Sequence, residues 1–188
     1  GPDGLMSPSG PTGGRLIRPS DREIPRRVAF VQCVGSRDRV GEIPYCSSVC
    51  CMYAIKDAMR VKELIPDAVV KVFFMDVRAC GKGFEEYYEK AKALGVEFVS
   101  CRVSCIEPAD GHVYIPVELE GIVSTEEFDL AVLSTGFTPS DGIDELSQVL
   151  GIEKGLFGYL GAGVTDTASP VVTDRQGIYV CGRGVEPQ

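Results

Sequence analysis

The sequence holds a single histidine, no apolar stretch near the ~20 residues that cross a bilayer, and fewer basic than acidic residues. Each shortage removes a class of function. His112, in Asp110-Gly111-His112, offers no footing for a Ser-His-Asp triad and reads as a solvated turn residue. With 19 Lys and Arg against 27 Asp and Glu, and a formal charge of −8, the chain lacks the clustered cations that neutralise nucleic-acid phosphates. No nucleic-acid partner and no membrane insertion are expected. Without a basic start or an apolar signal segment, the expected location is cytoplasmic.

What is present is a 188-residue chain with 44% hydrophobic content, enough for one respectable core. Residues 1–26 are rich in Gly, Pro and Ser, show no period of 2 or 3.6, and read as a linker or extended segment. The Gly-Pro-Asp start, without methionine, is expected of a chain that has been processed or cut from something longer. From Arg27 the pattern becomes regular: VAFVQC is a buried parallel strand and CSSVCCMYAIKDAMRVKELI, from Cys46, repeats apolar residues at helical spacing. AVVKVFFMDV reads as a second strand, GKGFEEYYEKAKALG as a helix closed by Gly95, and VEFVSCRVSCIEP as a third strand. HVYIPVEL and IVSTEEF bracket Glu120-Gly121 as a hairpin, FDLAVLSTG is a fourth buried strand, and DGIDELSQVLGI is a short helix. The fold class expected is α/β: a Rossmann-like parallel sheet with helices on both faces and a β-hairpin insertion. Residues 27–136 form that domain and residues 137–188 a C-terminal segment. Within the latter, GLFGYLGAGV (155–164) is glycine-rich without the Lys-Ser/Thr of a phosphate loop and reads as a surface loop.

The chain also lacks the G-x-G-x-x-G that a Rossmann unit needs to bring its first strand-to-helix turn against a pyrophosphate. Cysteines stand there instead. Cys33, Cys46, Cys50 and Cys51 follow Cys-x12-Cys-x3-Cys-Cys, one at the strand end and three at the expected helix start. On a helix, Cys46 and Cys50 share a face and Cys51 is rotated by roughly 100° from Cys50. A single zinc ion gathers sulfurs tightly and favours two knuckles of closely spaced cysteines, which this chain lacks. A [4Fe-4S] cubane presents four separate corners and suits thiolates leaving the backbone in different directions, with a helix N-terminus favouring its negative charge. The pattern therefore favours a [4Fe-4S] cluster in the corner normally reserved for a dinucleotide. A zinc-binding structural domain and a nicotinamide-dependent thiol oxidoreductase are the alternatives. Cys80, Cys101, Cys105 and Cys181 read as small buried hydrophobes, although Cys101 and Cys105 fall on one side of the expected third strand. Arg37 and Asp38 read either as tuning the cluster or as a surface ion pair.

The runs QCVGSRD, YCSSVCCMYAIK, FFMDVRACGKGFEEYYEKAK and FDLAVLSTGF resemble the heterodisulfide reductase A-subunit family, from about residue 10 to the C-terminus. The resemblance implies a thioredoxin-reductase-like flavoprotein in which the four matching cysteines hold a [4Fe-4S] cluster. It further implies FAD and electron transfer to partner redox subunits. STGF (134–137) and CGRG (181–184) resemble strand ends that approach a flavin, which makes Thr135, Gly136 and Gly182 candidate FAD residues, with strand-ending glycines as the structural alternative. The upstream FAD-binding half of that family is absent from these residues, so FAD is expected in the longer protein and not to be held firmly here. No catalytic residue is assigned, and the segment alone is not expected to turn over a substrate.

Overall fold

The computed structural model describes residues 6–38, 41, 43–160 and 171–182. The chain divides into two units, one of residues 1–35 and 49–135, the other of 36–48 and 136–188.

The described residues of the first unit form nine elements: β1 (Arg27–Val31), α1 (Cys50–Leu64), β2 (Val69–Phe74), α2 (Phe84–Ala93), β3 (Val96–Ser100), β4 (Glu107–Ala109), β5 (His112–Leu119), β6 (Ile122–Phe128) and β7 (Leu130–Leu133). Four strands form a parallel sheet in the order β3-β2-β1-β7, and β4-β5-β6 form an antiparallel sheet. Strand alternation separates two cores. Val28 and Phe30 of β1, with Val70 and Val72 of β2, face Ala54, Ile55, Ala58 and Val61 of α1 and Ala91 of α2. Ala29, Val31 and Phe73 face the opposite way, against Ile115 and Val117 of β5 and Phe128 of β6. Burying each large apolar side chain contributes about 1.5–3 kcal/mol, so both faces are strongly held.

The Rossmann-like parallel sheet and the hairpin insertion are as expected. Within this unit, however, the helices lie on one face and the antiparallel sheet takes the other. The physical reason is the alternation of β5, whose Ile115 and Val117 are fully buried and demand an apolar partner. The hairpin turn at Glu120-Gly121 has φ of +53° and +81°, the two left-handed residues of a tight two-residue connection. Residues 6–26, read as a linker, send Met6 and Leu16 into the core at 4% and 3% exposure, which anchors that segment.

In the second unit, α3 (Ile143–Leu150) is flanked by Gly142 and Gly151, both left-handed. Tyr159 and Leu160, read as part of a surface loop, are buried; residues 161–164 of that loop lie outside the described residues.

Candidate metal centre

β1 ends at Val31, but backbone pairing continues past it, Gln32 donating its N–H to Phe73 at 2.9 Å and Val34 donating to Ser134 at 3.0 Å. At Cys33 the backbone turns left-handed, φ +58°, and again at Gly35, φ +67°. A non-glycine residue in this region costs roughly 1–2 kcal/mol. Of the six such residues among those described, Asp110 and Glu120 sit in hairpin turns beside glycines, whereas Cys33, Arg37 and Ser48 all fall in the segment that carries the first cysteines. Strain gathered at one connection marks it as a place where shape is set by something other than chain preference.

The helical spacing of Cys46 and Cys50 is corrected by the structure. α1 starts at Cys50, because Ser48 is left-handed at φ +61° and stops the helix from running back. Cys46 therefore shares no helical face with Cys50, and its Sγ accepts the Ser48 N–H at 3.3 Å. It belongs to the second unit, whereas Cys33, Cys50 and Cys51 belong to the first. In the first unit, Gln32 Nε2 donates to the Cys50 carbonyl at 3.4 Å, joining the strand end to the helix start. Cys51 turns inward, buried, with its thiol 3.9 Å from the Asp76 carbonyl, while Cys33 and Cys50 are half-buried. Among the described residues, no three His, Cys, Asp or Glu side chains converge on a single-ion site.

The start of α1 has no side-chain cap and no acidic residue in its first turn, whereas α2 has Glu85 and Glu86 and α3 has Asp144 and Glu145. Its partial positive charge is thus left to whatever lies beside the cysteines. A cavity of about 510 Å³ opens beside Cys33, with Arg102, Ser104 and Cys105 in its wall. It lies past the C-terminal ends of parallel strands, where open α/β sheets take their ligands.

The remaining thiols depart from the sequence reading. Cys80, Cys105 and Cys181 are exposed and only Cys101 is half-buried, packed against the second core. Cys101 and Cys105 do not share a strand face, since β3 ends at Ser100. His112 opens β5 and is half-buried, its Nδ1 shielded from solvent 3.2 Å from Asp129 Oδ1 and 3.4 Å from Glu127 Oε1 without hydrogen-bond geometry to either, so it is not a solvated turn residue.

The candidate flavin residues differ among themselves. Thr135 is exposed. Gly136 has φ +79°, and a Cβ there would meet the hydroxyls of Ser36 and Ser47. Gly182, φ +62°, has nothing within 4 Å of that position. Arg183 and Gly184 of the CGRG run lie outside the described residues.

No protein-family model matches the chain. The second iron-sulfur A-subunit of CoB–CoM heterodisulfide reductase from Methanopyrus kandleri is 43% identical to it, across 95% of this chain and 28% of its own length. The A-subunit of the H2:CoB-CoM heterodisulfide,ferredoxin reductase of Methanothermobacter thermautotrophicus is 40% identical across 98% of this chain and 28% of its own. The iron-sulfur A-subunit of the CoB–CoM heterodisulfide reductase of Methanocaldococcus jannaschii is 41% identical across 98% and 29%. Among solved structures, the thioredoxin reductase of T. acidophilum is 15% identical, covering 86% of this chain and 45% of its own, with a TM-score of 0.49. Over nearly all its residues, then, the chain is homologous to the A-subunit of heterodisulfide reductase, of which it spans little more than a quarter.

Proposed function

We propose that this chain is the electron-transfer segment of a flavoprotein of the heterodisulfide reductase A-subunit type, in which Cys33, Cys46, Cys50 and Cys51 hold a [4Fe-4S] cluster. The observation that carries the reading is the junction of Gln32 with Cys50, which joins the residue before Cys33 to the helix start that bears Cys50 and Cys51. Cys46 supplies the fourth thiolate, four residues upstream of Cys50 in the chain. The donor set fits the group: four thiolates from separate backbone positions suit the corners of a cubane, and the uncapped start of α1 favours its negative charge. No observation favours a single zinc ion. Two of the relatives above are named as iron-sulfur subunits.

When bound, such a cluster accepts and gives up one electron at a time. The chain's own residues bind it, orient it and limit water: Cys51 from its buried position, Cys33 from a fixed left-handed turn. Electrons pass between FAD, held by the longer protein, and redox subunits of a heterodisulfide-reductase-like complex, in the cytoplasm. Thr135, Gly136 and Gly182 border the flavin. Gly182 has open space for close approach, while the Cα of Gly136 is already packed by serines. Residues 27–136 act as the cluster-binding domain, and 137–188 return toward the FAD-binding portion.

Anaerobic reconstitution with iron and sulfide tests the reading. About four irons and four sulfides per chain, with an electron paramagnetic resonance signal on reduction, are expected. A colourless protein with about one zinc, or one that takes up no iron, sinks it.

A further inference from the structure

Four hydroxyl groups of the second unit converge on one short segment, Gly136-Phe137, and two of them come from the immediate neighbours of Cys46. Tyr45 donates its hydroxyl to the Phe137 carbonyl at 3.0 Å. Ser47, buried at 2% exposure, accepts the Phe137 N–H at 2.8 Å. Residues on either side of Cys46 thus hold both polar groups of a single residue some 90 positions away. Tyr159, 1% exposed, donates to the same carbonyl at 3.0 Å and lies 3.2 Å from the Tyr45 hydroxyl. The Tyr45 ring also packs on Phe157, with ring centroids 4.6 Å apart. Ser36 and Ser47 close against the Cα of Gly136, a fit that only glycine permits.

We propose that Tyr45 and Ser47 are positioning residues for Cys46: the two-sided grip on Phe137 fixes the backbone that carries this thiol. The inference rests on the reading of Cys46 as a cluster ligand. A single hydrogen bond on one side would leave the loop free to pivot; bonds flanking the cysteine remove that freedom. The Ser48 N–H bond to Cys46 Sγ then fixes the direction of the sulfur itself. Because the gripped residue is Phe137, a displacement of Gly136-Phe137 also displaces Cys46.

The test uses Tyr45→Phe, which keeps the ring on Phe157, and Ser47→Ala, with Tyr159→Phe as a control that leaves both flanking bonds in place. In the metal-free protein, iodoacetamide alkylation of Cys46 is followed by peptide mass spectrometry, with exposed Cys105 as internal reference. Faster Cys46 alkylation is expected in Y45F and S47A, on the order of fivefold for the loss of one ordinary hydrogen bond, with Cys105 and the Y159F protein unchanged. In the reconstituted protein the same two variants retain iron but shift the electron paramagnetic resonance signal. Unaltered Cys46 alkylation in both variants overturns the grip. Should Y45F lose its circular dichroism signal, S47A carries the same reading. If the unsubstituted protein binds no iron, the ligand assignment fails by itself, and the alkylation rates still judge the grip separately.

Discussion

Lys71 Nζ lies 2.8 Å from Glu126 Oε2, an ion pair that ties the parallel sheet at β2 to the antiparallel sheet at β6. Glu97 on β3 approaches the same ammonium at 3.2 Å. Partial desolvation alone would favour the neutral amine, but the hydrogen bonds and charges of Glu126 and Glu97 together outweigh it and raise the Lys71 pKa above its ordinary 10.5. A group whose folded pKa is raised contributes stability fully below its unfolded value and loses it as pH rises through the folded one. Urea midpoints should therefore hold up to about the ordinary lysine value of 10.5 and fall as pH rises above it, and Lys71→Met should flatten that part of the fall. An identical alkaline loss in the variant would refute the assignment.

Phe128 is the apolar counterpart of that ion pair. It is fully buried, edge-on to Phe73 at 5.8 Å and 89°, with the Arg27 guanidinium 5.4 Å over its ring. Phe128→Ala should cost about 3–5 kcal/mol, read from chemical denaturation, and Phe128→Leu distinctly less. Equal costs would mean that the volume leucine restores contributes nothing and that the contacts of the ring itself carry the whole loss.

Much of this layering is legible in the sequence, and the misses have identifiable causes. Hairpin, parallel strands and helix ends announce themselves through β-branched runs, Glu120-Gly121 and Gly95. Helical periodicity runs on through Cys46 because apolar spacing carries no record of backbone φ; the left-handed Ser48 ends it physically. The second face of the sheet is decided by Ile115 and Val117, whose alternation fits a solvated hairpin equally well until a partner surface is known. At the candidate site the cysteine spacing is visible, but the link from Tyr45 and Ser47 to Phe137 spans some 90 residues and leaves no local pattern.

Gly136 and Gly182 provide a paired test. Both are left-handed, so alanine at either incurs roughly 1–2 kcal/mol of backbone strain. Only at Gly136 does the new Cβ also strike Ser36 and Ser47. Gly136→Ala should lower the melting temperature clearly more than Gly182→Ala; matching shifts would show that the serines yield without cost.

Cys50→Ser and Cys51→Ser should separate binding from packing. Each removes a proposed ligand and should abolish a full complement of iron on reconstitution. In the metal-free protein Cys50 is half-buried and its substitution near neutral, whereas a hydroxyl at buried Cys51 should cost about 1–3 kcal/mol unless it bonds the Asp76 carbonyl well. Thermal melts of the two apo variants check the difference.

The uneven burial of sulfur sets an order of chemical damage. Peroxide or oxygen arriving from solvent meets Cys80, Cys105 and Cys181 before it meets Cys51. Ageing in air should accordingly cross-link separate molecules through those outer thiols first, so that covalent dimers on a non-reducing gel give early warning while the inner thiol is still intact.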